Sequence, residues 1–131
     1  MSTLDRSSIL RQTRFEEDHY TNSPHAFFSA WKRGAALAGP RLFGQPTHSD
    51  LEKAVSVWEL RPDLQLISDS ISPMTRNERS FLAAMVSIYN SQDGGRLLQR
   101  VGVHGLADLG GLDLQRRTVI AALILHYTPS W

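Results

Sequence analysis

Asp113-Leu-Gln-Arg-Arg-Thr-Val-Ile-Ala-Ala-Leu-Ile-Leu-His-Tyr127 is the stretch on which the fold turns. Its first carboxylate can cap a helix by accepting a free backbone N–H. Behind it, Val119 to Leu125 are apolar nearly all round a helical turn. A helix of that kind belongs in the middle of a core. The strongly apolar run, Thr118 to Tyr127, is about half the length of a bilayer span. The sequence therefore predicts a buried helix from Asp113 to Tyr127, stopped by Thr128-Pro129, with other helices packed around it.

Working back along the chain, Thr75 and Glu78 form a capping box, in which each side chain can satisfy the other residue's free backbone donor. Phe81, Leu82, Met85, Ile88 and Tyr89 follow at helical spacing until Asp93-Gly94-Gly95, which reads as a stop. A shorter helix, Arg96 to Val101, is predicted next. Gly102 and Gly105 bracket a turn, Leu106–Leu109 adds one helical turn, and Gly110-Gly111 breaks it. Upstream, Ser49 and Glu52 repeat the capping box before Leu51, Ala54, Val55 and Trp58, and Arg61-Pro62 ends that helix. A short helical turn around Asp63–Ile67 and a polar loop from Ser68 to Pro73 come after it. The first well-marked helix opens at Ser23-Pro24, a hydroxyl cap with proline at the first helical position, and closes at Gly39-Pro40. Phe27, Trp31, Gly34, Ala35 and Ala38 share one face of it, and the small residues would let a neighbour come close to Trp31. Residues 1–22 read as a loosely attached polar arm with Leu4, Ile9 and Phe15. No strand is predicted. The expected fold is all-α: a single domain over 1–131, a compact bundle of five to seven helices, densest between residues 75 and 127.

Composition narrows the chemistry. The chain has 131 residues, 41% of them hydrophobic and 21% charged, with a formal net charge of +1. No global field commits such a chain to nucleic acid or membrane. Cysteine is absent, which removes disulfides, thiolate metal sites and a cysteine nucleophile together. Residues 1–20 carry Asp5, Glu16, Glu17 and Asp18 without an apolar run, so a secretory signal is not expected. A cytoplasmic, bacterial protein is the expectation.

Motifs for catalysis are thin. Glu16 and His19 make one Glu-x-x-His step, where a di-iron bundle needs two with further glutamates. His19, His25, His48, His104 and His126 are scattered without zinc-site spacing. Ser29-Ala-Trp-Lys32 spells Ser-x-x-Lys, without the Ser-Asp-Asn or Lys-Thr-Gly elements that accompany it in penicillin-recognising enzymes. The expectation is a protein that is not an enzyme and uses neither cofactor nor metal. An enzymatic site would need His19, His48 or His104 to meet acidic neighbours in a cleft.

Twelve of the fourteen basic residues are arginines, a side chain suited to bidentate contact with carboxylate or phosphate. Arg76 and Arg79 open one helix, Arg96 and Arg100 lie four apart, and Arg116 and Arg117 open the last. Arginines at helix starts oppose the helix dipole, and a meeting with an acidic partner is one explanation. These six, with His104 in the glycine-bounded turn and Trp131 at the end of the chain, are the expected partner-binding residues. Phe27, Phe28 and Trp31 are further aromatic candidates, with core packing preferred for Trp31 and Trp58. Residues 96–113 resemble a helix-hairpin-helix, with His104 of Gly102-Val103-His104-Gly105 standing where the second hairpin glycine should be. That resemblance implies backbone N–H groups offered to a DNA phosphate. The first expectation is thus a non-enzymatic binding or regulatory module acting on a macromolecule, protein before DNA, with homo-oligomerisation left open. The alternative is a DNA-binding transcriptional regulator.

Overall fold

The computed structural model describes residues 6–128 and 131. Six α-helices follow one another: α1 (Arg6–Ala38), α2 (His48–Glu52), α3 (Leu64–Ser70), α4 (Arg76–Tyr89), α5 (Ser91–Arg100) and α6 (Leu114–Leu125). Three 3-10 turns, Pro40–Phe43, Val57–Leu60 and Leu106–Gly111, join them. There is no strand among the described residues. The chain is an all-α, single-domain bundle.

Its centre is α4. The Thr75–Glu78 capping box forms as expected, and every residue from Ser80 to Val86 is buried. α5 folds back along α4, and α1 packs antiparallel to α6, Ser23 meeting His126 and Gly34 meeting Val119. Gly34 makes that approach close: a Cβ there would meet Met85 of α4 at 2.7 Å and Val119 of α6 at 3.0 Å. Trp31 is fully buried beside it, its indole N–H donating to the Leu60 carbonyl at 2.8 Å.

α6 departs from the expectation. Asp113 caps it, accepting from the Arg116 N–H at 2.9 Å, but only Val119, Ile120 and Leu123 are buried. Leu114 is 78% exposed, Ile124 59% and Leu125 63%. The helix lies against one side of the bundle rather than inside it, because α4 already fills the centre. Its apolar circumference exceeds what the fold covers.

α1 is longer than its punctuation suggests. It runs through Ser23-Pro24, which the sequence reading took as its start. A proline inside a helix leaves the carbonyl four residues earlier without its N–H partner and crowds it. Neighbouring side chains bind carbonyls of that same turn: Asn22 Nδ2 donates to Asp18 O at 2.8 Å and Ser23 Oγ to His19 O at 2.7 Å. Ser23 therefore bonds backward within the helix instead of capping a new one. Residues 6–22 of the expected arm are helical and almost wholly exposed; Leu4 lies outside the described residues.

Three other boundaries move. Thr47, not Ser49, caps α2, which ends at Glu52. The buried residues beyond it are Ala54, Val57 and Leu60, in threefold rather than helical period, so Val55 and Trp58 face outward. Trp58 is half-exposed under the Arg61 guanidinium, which corrects its assignment to the core. α3 takes in residues 68–70 of the expected loop. Gly94-Gly95 does not stop a helix either. Asn90 ends α4 and caps α5, its side chain accepting from the N–H groups of Gln92 and Asp93, and both glycines lie inside α5.

Candidate protein-binding surface

α1 and α6 leave an open groove of about 900 Å³ between them. Ser29, Lys32, Arg33 and Leu37 line it from α1, Leu114, Thr118 and Val119 from α6, and Glu52 closes one side. From its rim an exposed stripe runs along α6: Leu114, Thr118, Ala121 and Leu125 stand at i, i+4, i+7 and i+11, all facing water. Lys32 donates to the Glu52 carbonyl at 2.8 Å and lies over the Phe28 ring, and Arg33 is exposed. Among the described residues, neither base forms an ion pair.

The sequence-selected arginines do not share one face. Arg116 bonds the Asp113 carboxylate at 2.6 Å and lies over the Phe81 ring. Asn77 donates to the same carboxylate at 2.6 Å. The Arg116 backbone N–H and then its guanidinium hold the Asp113 carboxyl below the usual range. Arg117 donates to the carbonyls of Gly110 and Leu112. Both thus brace the turn ahead of α6. Arg96 pairs with Asp93 one turn away and is 73% exposed, a pair that contributes little to stability. Arg76 borders a cleft of about 460 Å³ with Asn77, Ser80 and Asp108. Arg79 and Arg100 alone converge, on the α3–α4 loop.

The hairpin's donors are already taken. Gly102 has φ +83°, and its N–H and that of Val103 donate to the carbonyls of Gln99 and Leu98 at 3.2 and 2.8 Å, closing α5 in a Schellman turn. The N–H groups of His104 and Gly105 donate to Asp108 Oδ2 at 2.8 and 3.3 Å. These two bonds, His104 first, hold the Asp108 carboxyl below its ordinary range. A carboxylate sits where the helix-hairpin-helix resemblance would place a phosphate, and a 3-10 turn, Leu106–Gly111, follows where that motif has its second helix. The His104 side chain is exposed.

Trp131 is packed against the core. Its ring lies 4.9 Å from Trp31, 5.0 Å from Tyr89 and 6.3 Å from Phe27, centroid to centroid. Phe27 is fully buried and Phe28 half-buried. Two of the histidines meet. His19 stacks on His126, both bonding the buried Ser23 hydroxyl at 3.3 and 3.2 Å. His48 reaches the Ala36 carbonyl, and His104 sits at the hairpin. Among the described residues, no group of three or more His, Cys, Asp or Glu could hold a metal ion. Among the described residues, no helix is long and apolar enough to cross a membrane.

Sequence reasoning missed the groove. Lys32 was read only as part of Ser-x-x-Lys, and Leu114 and Leu125 as core. The available signal was an apolar circumference on α6 larger than one central helix needs when α4 competes for the same place. No protein-family model, curated protein or solved structure matches this chain.

Proposed function

We propose that this chain is a non-enzymatic binding module whose partner is a protein segment laid against α6 and the α1–α6 groove. The observation that carries this is the exposed stripe Leu114–Thr118–Ala121–Leu125. Contiguous exposed apolar surface beside a groove is a hallmark of protein interaction sites. An amphipathic helix suits it, since apolar anchors at helical spacing lie along such a groove while its flanks meet the rim. Lys32 and Arg33 at the rim favour acidic flanks in the partner. The hairpin geometry weighs against a DNA reading, because Asp108 holds the backbone N–H groups that a phosphate would need.

The test compares wild type with Leu125→Asp. Light scattering over a range of concentrations measures self-association, pull-down from native lysate measures a foreign partner, and titration of duplex DNA at about 50 mM salt measures the nucleic-acid alternative. Expected is a stoichiometric complex formed by wild type and lost in Leu125→Asp, whose exposed position leaves the fold intact. Equal recovery by both proteins, or salt-dependent DNA binding in place of a protein complex, would overturn the proposal.

A further inference from the structure

Arg79 of α4 and Arg100 of α5 point into one notch of about 250 Å³, bounded also by Ile71, Ser72 and Val101. Arg100 donates through Nη1 to Ser68 Oγ at 3.1 Å, and through Nη2 to Ser68 O at 3.0 Å and Ser72 Oγ at 2.8 Å. Arg79 Nη1 donates to Ser72 O at 3.1 Å. Every one of these acceptors is neutral. The ion pairs of the described residues belong to Arg96 and Arg116 instead. Two guanidinium charges therefore share a notch in which no carboxylate balances them.

The fold holds both groups in place. Bonds to the end of α3 and to the α3–α4 loop orient the two forks, and each guanidinium carries five N–H donors, so both keep donors that these bonds do not take. Ile71, fully buried, floors the notch beneath the two guanidinium groups. The geometry points to a site for one phosphoryl group carried on a side chain of a partner protein, an inference that rests on the protein-binding reading above. Charge selects phosphoryl over carboxylate: a phosphoserine brings close to two negative charges and three acceptor oxygens, which match two guanidinium forks and the Ser72 hydroxyl. A carboxylate would neutralise one arginine only. No aromatic side chain lines the notch to stack a base, which argues for a phosphorylated side chain over a nucleotide.

The test is an NMR titration of arginine Nε–H signals at low ionic strength. The probes are a phosphoserine peptide, the same peptide with glutamate in place of phosphoserine, and inorganic phosphate. Expected are saturable shifts at Arg79 and Arg100 with the phosphopeptide, and binding at least about tenfold weaker for the glutamate peptide and for inorganic phosphate. Arg100→Lys and Arg79→Lys, each checked for an unchanged circular dichroism spectrum, should weaken the phosphopeptide by a similar factor, whereas Arg96→Lys should not. Absence of saturable shifts, or equal binding of the glutamate peptide, overturns the inference. Inorganic phosphate binding as tightly as the phosphopeptide overturns the protein-borne source. Leu125→Asp leaves this notch untouched, so failure of the groove and failure of the notch are read separately.

Discussion

Gly94→Ala isolates the contact on which the α4–α5 hairpin depends. A Cβ at Gly94 would lie 2.0 Å from Ser87 Cα and 2.3 Å from Ser87 N. Those atoms are backbone of a buried helix and cannot swing aside, so α5 as a whole must lift away. Replacing glycine by alanine in a helix ordinarily stabilises by about 1 kcal/mol. Overpacking costs typically about 1–3 kcal/mol and occasionally more, and an obstacle made of main chain puts this site at the upper end. The expected net effect is a loss of about 2 kcal/mol. Gly95 supplies the control: it lies in the same helix, is exposed, and a Cβ there meets nothing within 4 Å. Gly95→Ala should therefore stabilise by roughly 0.5–1 kcal/mol. The two variants differ by one position and should separate by roughly 3 kcal/mol, a Tm difference of about 10 °C for a chain of this size. Urea and thermal denaturation followed by circular dichroism measure both. If the two alanines stabilise equally, α5 does not lie against α4 as described. Arg100 rides on α5, so displacement of the helix in Gly94→Ala should also change the Arg100 Nε–H signal.

Trp31→Phe removes the donor to the buried Leu60 carbonyl and part of a fully buried ring. An unsatisfied buried acceptor costs about 1–3 kcal/mol before any cavity is counted, so a urea-derived loss below about 1 kcal/mol would contradict this placement. Asp108→Asn tests the hairpin through pH. Because the folded carboxyl titrates below its ordinary value, its stabilisation is present above the unfolded pKa of about 4 and fades as pH falls through the folded value. The wild-type advantage over Asp108→Asn should accordingly be full at neutral pH and shrink below about pH 4, and a pH-independent difference would disprove it.

Much of the fold was legible because local chemistry announced it. Thr75 with Glu78 and Asp113 before α6 are caps whose partners lie within three residues, and each forms. What went unread depends on distant neighbours. Pro24 reads as a start until one sees Ser23 bonding backward to the His19 carbonyl inside a continuous helix. Gly94 reads as a break, although its role is to let one helix touch another's backbone. Burial was misassigned between α6 and α4 because both are apolar and periodicity cannot say which of them occupies the centre. The candidate sites were half legible for the same reason. Arginine spacing marked Arg79 and Arg100, but their meeting depends on the α3–α4 loop, while Arg116 and Arg117 are consumed by the turn beside them.

The exposed first half of α1 has a thermodynamic consequence. Starting a helix is unfavourable and extending one is nearly free, so isolated helices of about 12–15 residues are marginal in water. Residues 6–22 gain little from burial, yet they continue a helix that Phe27, Trp31 and Ala35 lock into the bundle. Their nucleation is supplied downstream, and order should spread outward from Ser23 and thin toward Arg6. Detached from that anchor, the same residues made as a free peptide would lose most of their helix.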